Sequence, residues 1–258
     1  MKRYALIVAG GTGSRMNSSI AKQFIELNGK PILMRTIDNF FRFDSSLSII
    51  LVLPKEQLYF WQILCEKHHF SVKHQVVAGG ETRFQSVKNG LSLISEEGIV
   101  AIHDGVRPLV SHATISRCFD TAGKWGNAVP CLTVYETVRN INNDSSTQLD
   151  RSLLRFIQTP QVFSSLLIKQ AFEQPYDEIF TDDASVLEKT GEKIQLVEGN
   201  RENIKITDPL DLIIAEAFFI AGNSWGLVAI EISISPSCTL VICWGPNTIL
   251  ALPFTNPG

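Results

Sequence analysis

Short, β-rich apolar runs alternate with segments of helical periodicity through the first half of this chain, and that alternation constrains its fold more than any other feature. The first run, residues 4–9, reads Tyr4-Ala5-Leu6-Ile7-Val8-Ala9 and ends in glycine. Similar runs recur at 48–53, 72–77 and 99–103, with another near 127–133. They are short continuous apolar runs, as expected of parallel strands buried on both faces. Between them lie helical patterns at 32–41, 57–69, 83–94 and 114–124. Such alternation builds βαβ units, and right-handed crossovers place helices above and below the sheet. The expected fold is α/β: a Rossmann-like, mainly parallel twisted sheet with helices on both faces.

The pattern breaks at about 132–159. Two extended stretches, 133–141 and 149–157, flank the polar turn Asn142-Asn143-Asp144-Ser145-Ser146. Their polar faces do not suit a core strand, so they predict a β-hairpin arm projecting from the domain. Helical patterns follow at 164–172 and 182–189, then a strand at 193–197. A last helix opens at Asp208-Pro209, with Asp208 as N-cap and Pro209 in the first turn, and runs to 220. Residues 1–220 therefore read as one domain. From Ala221 to Gly258 the only charged residue is Glu231, and 239–254 is strongly apolar. The longest apolar run there is too short for a membrane-spanning helix. An extra strand pair, an interface element or a segment foreign to the domain all fit this tail.

Composition excludes several function classes. With 45% apolar and 19% charged residues the chain is not disordered. A formal net charge of −3 and the lack of a basic run with interleaved aromatics point away from nucleic acid and from a membrane surface. The five cysteines form no CxxC pair, and the N-terminus reaches glycine too soon for a signal peptide. Reduced thiols in a cytoplasmic protein are expected.

Four elements carry chemistry. The first strand ends in Ala9-Gly10-Gly11-Thr12-Gly13-Ser14-Arg15-Met16, where glycines bring backbone N–H groups close to an anion. A Walker loop needs Lys-Ser/Thr after its last glycine, and a dinucleotide fingerprint needs a third glycine where Met16 stands. Arg15 and Lys22 supply two cations beside this turn, which suits a triphosphate whose charge must be spread. His103-Asp104-Gly105-Val106-Arg107-Pro108 closes a strand at the edge where open α/β sheets bind ligands. Asp104 there serves equally to hold Mg²⁺ or to brace the turn by pairing with Arg107. Last, Lys205 stands between two isoleucines in Asn203-Ile204-Lys205-Ile206-Thr207, partly shielded from water.

Together these elements resemble the 2-C-methyl-D-erythritol 4-phosphate cytidylyltransferases of the non-mevalonate isoprenoid pathway. The carrying residues also include Leu27-Asn28-Gly29-Lys30-Pro31, Gly79-Gly80-Glu81-Thr82-Arg83 with Ser86, and Asp150-Arg151 with Gln158-Thr159-Pro160-Gln161. Thr181-Asp182-Asp183-Ala184-Ser185 and Asp211-Leu212 complete a match that runs in order over about 3–220.

The resemblance implies a CTP-dependent nucleotidyltransferase that moves CMP onto 2-C-methyl-D-erythritol 4-phosphate and releases pyrophosphate. It assigns catalysis to Arg15, Lys22, Arg151 and Lys205. It assigns nucleotide binding to Ala9, Gly10, Gly11, Gly13, Gly80, Glu81, Ser86, Asp104 and Arg107. Thr137, Arg151, Thr159 and Lys205 would hold the sugar-alcohol phosphate, and Asp104 would hold Mg²⁺. The arm would reach a second subunit, making a homodimer the active unit. Two positions depart from the usual pattern: Ala21 replaces a common proline, and Glu136-Thr137-Val138-Arg139 replaces Asp-Thr/Ser-x-Lys. The glycine loop also occurs in ribitol 5-phosphate cytidylyltransferases, the alternative activity. Thr181–Ser185 and 150–161 fit the methylerythritol branch better.

Overall fold

The computed structural model describes residues 1–10, 20–142, 145–223, 228–235, 238–245 and 248–254, with backbone elements alone beyond Phe219. In chain order come β1 (Lys2–Val8), the ribbon strands β2 (Glu26–Leu27) and β3 (Lys30–Pro31), α1 (Ile32–Phe43), β4 (Ser48–Leu53) and α2 (Leu58–Lys67). Next are β5 (Gln75–Ala78), α3 (Arg83–Ser92), β6 (Gly98–Asp104), α4 (His112–Trp125) and β7 (Asn127–Thr133). β8 (Arg139–Asn142) and β9 (Ser145–Gln148) precede β10 (Arg155–Ile157), β11 (Gln161–Ser164), α5 (Ser165–Ala171) and α6 (Asp183–Glu188). β12 (Leu196–Glu198) and α7 (Pro209–Asn223) are followed by β13 (Val228–Ser235), β14 (Cys238–Gly245) and β15 (Thr248–Phe254).

The main sheet runs β10-β7-β11-β6-β1-β4-β5, with β12 parallel to β7. Its centre is parallel: β6, β1, β4 and β5 run together, and Val8 lies level with both Val52 and Asp104. Every residue of β6 is buried, as expected of a strand covered above and below. Alternate side chains of β1 enter separate cores. Ala5 and Ile7 pack with Met34, Ile37 and Phe40 of α1, Trp61 of α2 and Phe119 of α4. Tyr4, Leu6 and Val8 pack with Phe84 and Val87 of α3, Ile168 of α5 and Leu187 of α6. The period of two along a strand thus gives each face its own helices. A third, smaller cluster joins Leu27, Ile32, Val106, Ile206 and Ala215, seating α7 beside the end of β6.

The α/β expectation holds, with four local differences. First, β11 enters between β6 and β7, antiparallel to both; only four residues long, it carries too little periodicity to stand out. Second, the hairpin is shorter and tighter than expected: 139–142 pairs with 145–148, so that residues 142, 145 and 146 of the expected turn belong to its strands. Residues 155–157 return to the main sheet as β10, where Phe156 pairs with Leu132. Third, the strand expected at 72–77 begins at Gln75, because His74 is turned toward α2. The Trp61 indole N–H donates to His74 Nε2 at 3.0 Å, and His74 Nδ1 lies 2.7 Å from the Val72 carbonyl. Fourth, β12 starts at Leu196 rather than residue 193. The final helix opens as expected, the Asp208 carboxylate accepting the Asp211 N–H at 3.1 Å. Beyond it, β13, β14 and β15 form a three-stranded antiparallel meander.

Candidate active site

The ends of β1 and β6 and the turn after β5 meet at the carboxyl edge of the sheet. A cleft of about 290 Å³ opens there. Ala9 and Gly10 come from the end of β1, Lys22 and Gln23 from the next described segment, and Gly80, Glu81, Thr82, Arg83 and Ser86 from the turn and start of α3. Asp104 and Lys205 close the far wall. Glycine is required at two points of the rim. A Cβ on Gly80 would lie 2.4 Å from Gln85 Cβ, and one on Gly105 2.8 Å from Ala9 Cβ. The β5–α3 turn is further held by a capping box between Thr82 and Gln85, and the Gly80 N–H donates to Ser86 Oγ at 3.1 Å.

Asp104 is the electrostatic centre of the cleft. Its Oδ2 accepts from Arg107 Nε at 3.1 Å and lies 3.2 Å from Lys205 Nζ. Burial alone would raise this carboxyl, but Lys205, then Arg83 and Arg107, hold it well below the usual carboxylate range. It is ionised throughout the physiological range. Arg107 also donates to the Asn203 carbonyl at 2.8 Å, so the pairing that braces the turn reaches the Lys205 segment as well.

A second buried ion pair flanks the first. Arg83 donates to both carboxylate oxygens of Asp183 at 2.7 and 2.6 Å. Asp183 has no solvent exposure, while the Arg83 side chain keeps 31% of its surface open. Burial pushes the Asp183 carboxyl up and the guanidinium pulls it back. Burial likewise opposes the charge on Arg83, and Asp183 more than restores it. The fork-on-carboxylate geometry is that of an ion pair, and we assign both groups as charged.

Behind the wall lies a neutral network. His103 is fully buried, which pushes its imidazole down to about 4 and keeps it neutral at pH 7. Its Nε2 faces the Arg107 carbonyl at 2.9 Å, so the proton sits on Nε2. Nδ1 then accepts from the Thr159 hydroxyl at 3.0 Å, and the same oxygen accepts the Asp104 N–H at 3.1 Å. The Thr159 carbonyl accepts from Asn203 Nδ2 at 2.8 Å. Gln23, also buried, donates to the Ala9 carbonyl at 3.1 Å and to Gln57 Oε1 at 2.6 Å, tying the start of the glycine turn to the chain beyond β4. Near the cleft, burial would raise Asp211, but hydrogen bonds from Thr207 and Asp208 and the charge of Lys22 hold it down.

Of the residues singled out in the sequence, Ala9, Gly10, Lys22, Gly80, Glu81, Ser86, Asp104 and Lys205 line one cleft. Arg107 backs it through Asp104. Arg15, Gly11 and Gly13 lie outside the described residues. Thr159 is behind the wall, 5% exposed, with its oxygen committed to His103 and Asp104. Thr137 and Arg151 are on the exposed arm and do not line the described cleft; Arg151 donates to the Tyr135 carbonyl. Sequence reading assigned no role to Arg83, Asp183 or Gln23. Arg83 and Asp183 each stand inside a quoted motif and Gln23 follows Lys22, but only the fold joins Arg83 to a carboxylate 100 residues away. Among the described residues no group of three His, Cys, Asp or Glu side chains could cage a metal. Asp104, which shares the cleft lining with Glu81, still suits magnesium, which keeps several waters and takes one or two carboxylates plus substrate phosphates.

A family model described as 2-C-methyl-D-erythritol 4-phosphate cytidylyltransferase matches residues 4–221. The chain is 54% identical over 217 residues to the enzyme of that name from Bacteroides fragilis, covering 84% of this chain and 99% of that one. Its counterpart from Phocaeicola vulgatus is 51% identical over 216 residues, with coverage of 84% and 99%. Among solved structures, the 4-diphosphocytidyl-2C-methyl-D-erythritol synthase of Anaerococcus prevotii superposes with a TM-score of 0.72. It is 29% identical and aligns with 85% of this chain and 98% of its own.

Proposed function

The chain belongs to the 2-C-methyl-D-erythritol 4-phosphate cytidylyltransferase family, and from that membership we propose how its own residues perform the transfer. It is a CTP-dependent nucleotidyltransferase of isoprenoid precursor synthesis, moving CMP onto 2-C-methyl-D-erythritol 4-phosphate and releasing pyrophosphate. The observation that carries the mechanism is the convergence of Lys22, Asp104 and Lys205 on one cleft with the Gly80–Ser86 turn opposite.

The nucleophile is a phosphate oxygen of the sugar-alcohol phosphate, ionised at neutral pH without help. No general base is needed; the work is in-line positioning and cancellation of charge. Ala9 lines the cleft with its N–H committed to the Val52 carbonyl at 2.9 Å, so the backbone N–H groups for the triphosphate are those of Gly10, Gly11 and Gly13. Gly80, Glu81 and Ser86 take the base and ribose on a turn already closed by its own capping box. Arg15 and Lys22 stabilise charge on the phosphorus undergoing attack, and Lys205 steers the incoming phosphate. Asp104 faces the ribose and phosphates, and Arg107 holds it from behind. The permanently ionised Asp104 would hold Mg²⁺ together with triphosphate oxygens. The ion would supply charge neutralisation on those oxygens.

Thr137 and Arg151 act from the arm, and a homodimer brings them to the partner's cleft. Exposed apolar side chains support this reading. Tyr135, Ile141, Leu153 and Phe156 are all open to solvent on the arm and its return strand, apolar surface that a second chain would cover. Residues 1–220 form the catalytic unit and 221–258 an added segment. Among the described residues no helix is long and apolar enough to cross a membrane.

Pyrophosphate release with CTP and Mg²⁺ tests the reading. Turnover is expected with 2-C-methyl-D-erythritol 4-phosphate and not with ribitol 5-phosphate; the reverse would move the chain to the ribitol branch. The same assay on a chain ending at Asn223 is expected to give unchanged turnover.

A further inference from the structure

Thr159 is built to serve two segments at once. Its hydroxyl oxygen takes the N–H of Asp104 at the end of β6 and gives its own proton to His103 Nδ1. His103 in turn passes its Nε2 proton to the carbonyl of Arg107, so both ends of the turn carrying Asp104 and Arg107 are pinned. The carbonyl of the same threonine takes Asn203 Nδ2, two residues before Lys205. Gln158, next in the chain, donates to the Asn200 and Asn203 carbonyls at 3.0 and 3.2 Å. A backbone bond from Ile206 to the Val106 carbonyl at 3.0 Å closes the loop. His103 and Asn203 have no exposure at all, and Thr159 has 5%.

Asp104 and Lys205 are therefore carried by two segments far apart in the chain, and a third, with Gln158 and Thr159, stitches them by neutral, buried hydrogen bonds. In a low-dielectric interior such bonds hold geometry without adding charge to the site. We infer that Thr159 is a positioning residue, with His103 and Asn203 as its partners, and that this clamp sets the placement of Asp104 relative to Lys205. The inference rests on the reading that Asp104 and Lys205 act in the transfer. It replaces direct contact with substrate as the role of the Thr159 hydroxyl, which has both its donor and an acceptor position already in use.

Thr159→Val keeps the shape and deletes the hydroxyl. The variant is expected to lose about tenfold to a hundredfold in kcat, as when supporting partners of a site are removed or its groups shift by a fraction of an ångström. KM for CTP should stay within about twofold, because Gly80–Ser86 lies on a separate element. Thr159→Ser, which restores the hydroxyl, should recover most of the rate. In a double-mutant cycle, adding Thr159→Val to Lys205→Met should cost no more than about a further twofold.

A wild-type rate in Thr159→Val would overturn the clamp, as would an undiminished loss in the Lys205→Met background. A raised KM for the sugar-alcohol phosphate with unchanged kcat would do the same, returning the hydroxyl to direct contact. A normal rate in Lys205→Met alone would sink the site reading and the clamp with it. If circular dichroism shows Thr159→Val unfolded, Asn203→Ala reads the other half of the clamp in the same cycle, with the same outcomes deciding.

Discussion

The wall of the cleft and the arm carry similar residue types under opposite conditions. At the wall, Asp104 and Asp183 are buried, and each meets a cation from a distant segment, Lys205 and Arg83 respectively, with Arg107 also bracing Asp104 from three residues away. On the arm every residue of β8 and β9 is exposed, and the polar side chains bond within a few residues of themselves. Arg139 donates to Ser146, and the Asp150 carboxylate takes the Ser152 N–H and hydroxyl. A buried charge has its geometry imposed by the partners that compensate it, whereas an exposed pair in water contributes little and imposes little. The wall is thus complete within one chain. Thr137 and Arg151 stand on this arm and do not line the cleft, and Arg151 donates to the Tyr135 carbonyl beside it; the proposed dimer would give both a partner's cleft to act on.

Removing a cation from the wall breaks the comparison most severely. Arg83→Met strips buried Asp183 of its counter-charge, so that it must take up a proton or stay charged and unpaired, and a loss of about 3 kcal/mol is expected in urea denaturation at pH 7. Truncating an arm cation such as Arg139 should cost well under about 1 kcal/mol by the same measurement.

The next effect is smaller and depends on pH. The folded-state value of His103, about 4, is below its unfolded value of roughly 6.5. The stability it preserves is complete above the unfolded value and declines as pH falls from there toward the folded one. At pH 5 the decline amounts to about 2 kcal/mol. His103→Gln should therefore show a flatter stability profile between pH 7 and pH 5; parallel profiles would show that His103 titrates normally.

The arm is expected to matter for turnover and not for stability. Arg151→Ala and Lys205→Met, each poorly active alone, should regain up to about a quarter of wild-type activity when mixed and allowed to exchange subunits, since one site of each mixed dimer is then intact. No recovery after demonstrated exchange would place Arg151 in the site of its own chain.

Much of this molecule is legible before any coordinates. The runs that became β1, β4, β6 and β7 stand out because a strand covered on both faces must be apolar throughout. The glycine turns stand out because a backbone that crowds Gln85 or Ala9 has no room for a Cβ. Asp208-Pro209 announces α7 through capping chemistry confined to four residues. β11 did not stand out, since four residues beside two longer strands take their place from pairing rather than from pattern. Residues 155–157 have the extended character of the arm, and their place in the main sheet is set by the edge that β7 leaves open.

The cleft divides along the same line. Glycines, lysines and Asp104 declared themselves by type and local spacing, because a phosphate site needs N–H groups and cations close together. What local spacing cannot contain is a partner a hundred residues away. Arg83 meets Asp183, and Thr159 meets both Asp104 and Asn203, only when α3, α6, β6 and the segment before α7 are packed on one sheet. The kind of sheet, the family and the charged groups proposed for the reaction could all be read from residue type and period. Only the packed layers show which of those charges are paired, that the Thr159 hydroxyl is occupied by His103 and Asp104, and that Thr137 and Arg151 do not line the cleft. Those outcomes depend on burial and long-range hydrogen bonding, which come into being only as the layers close.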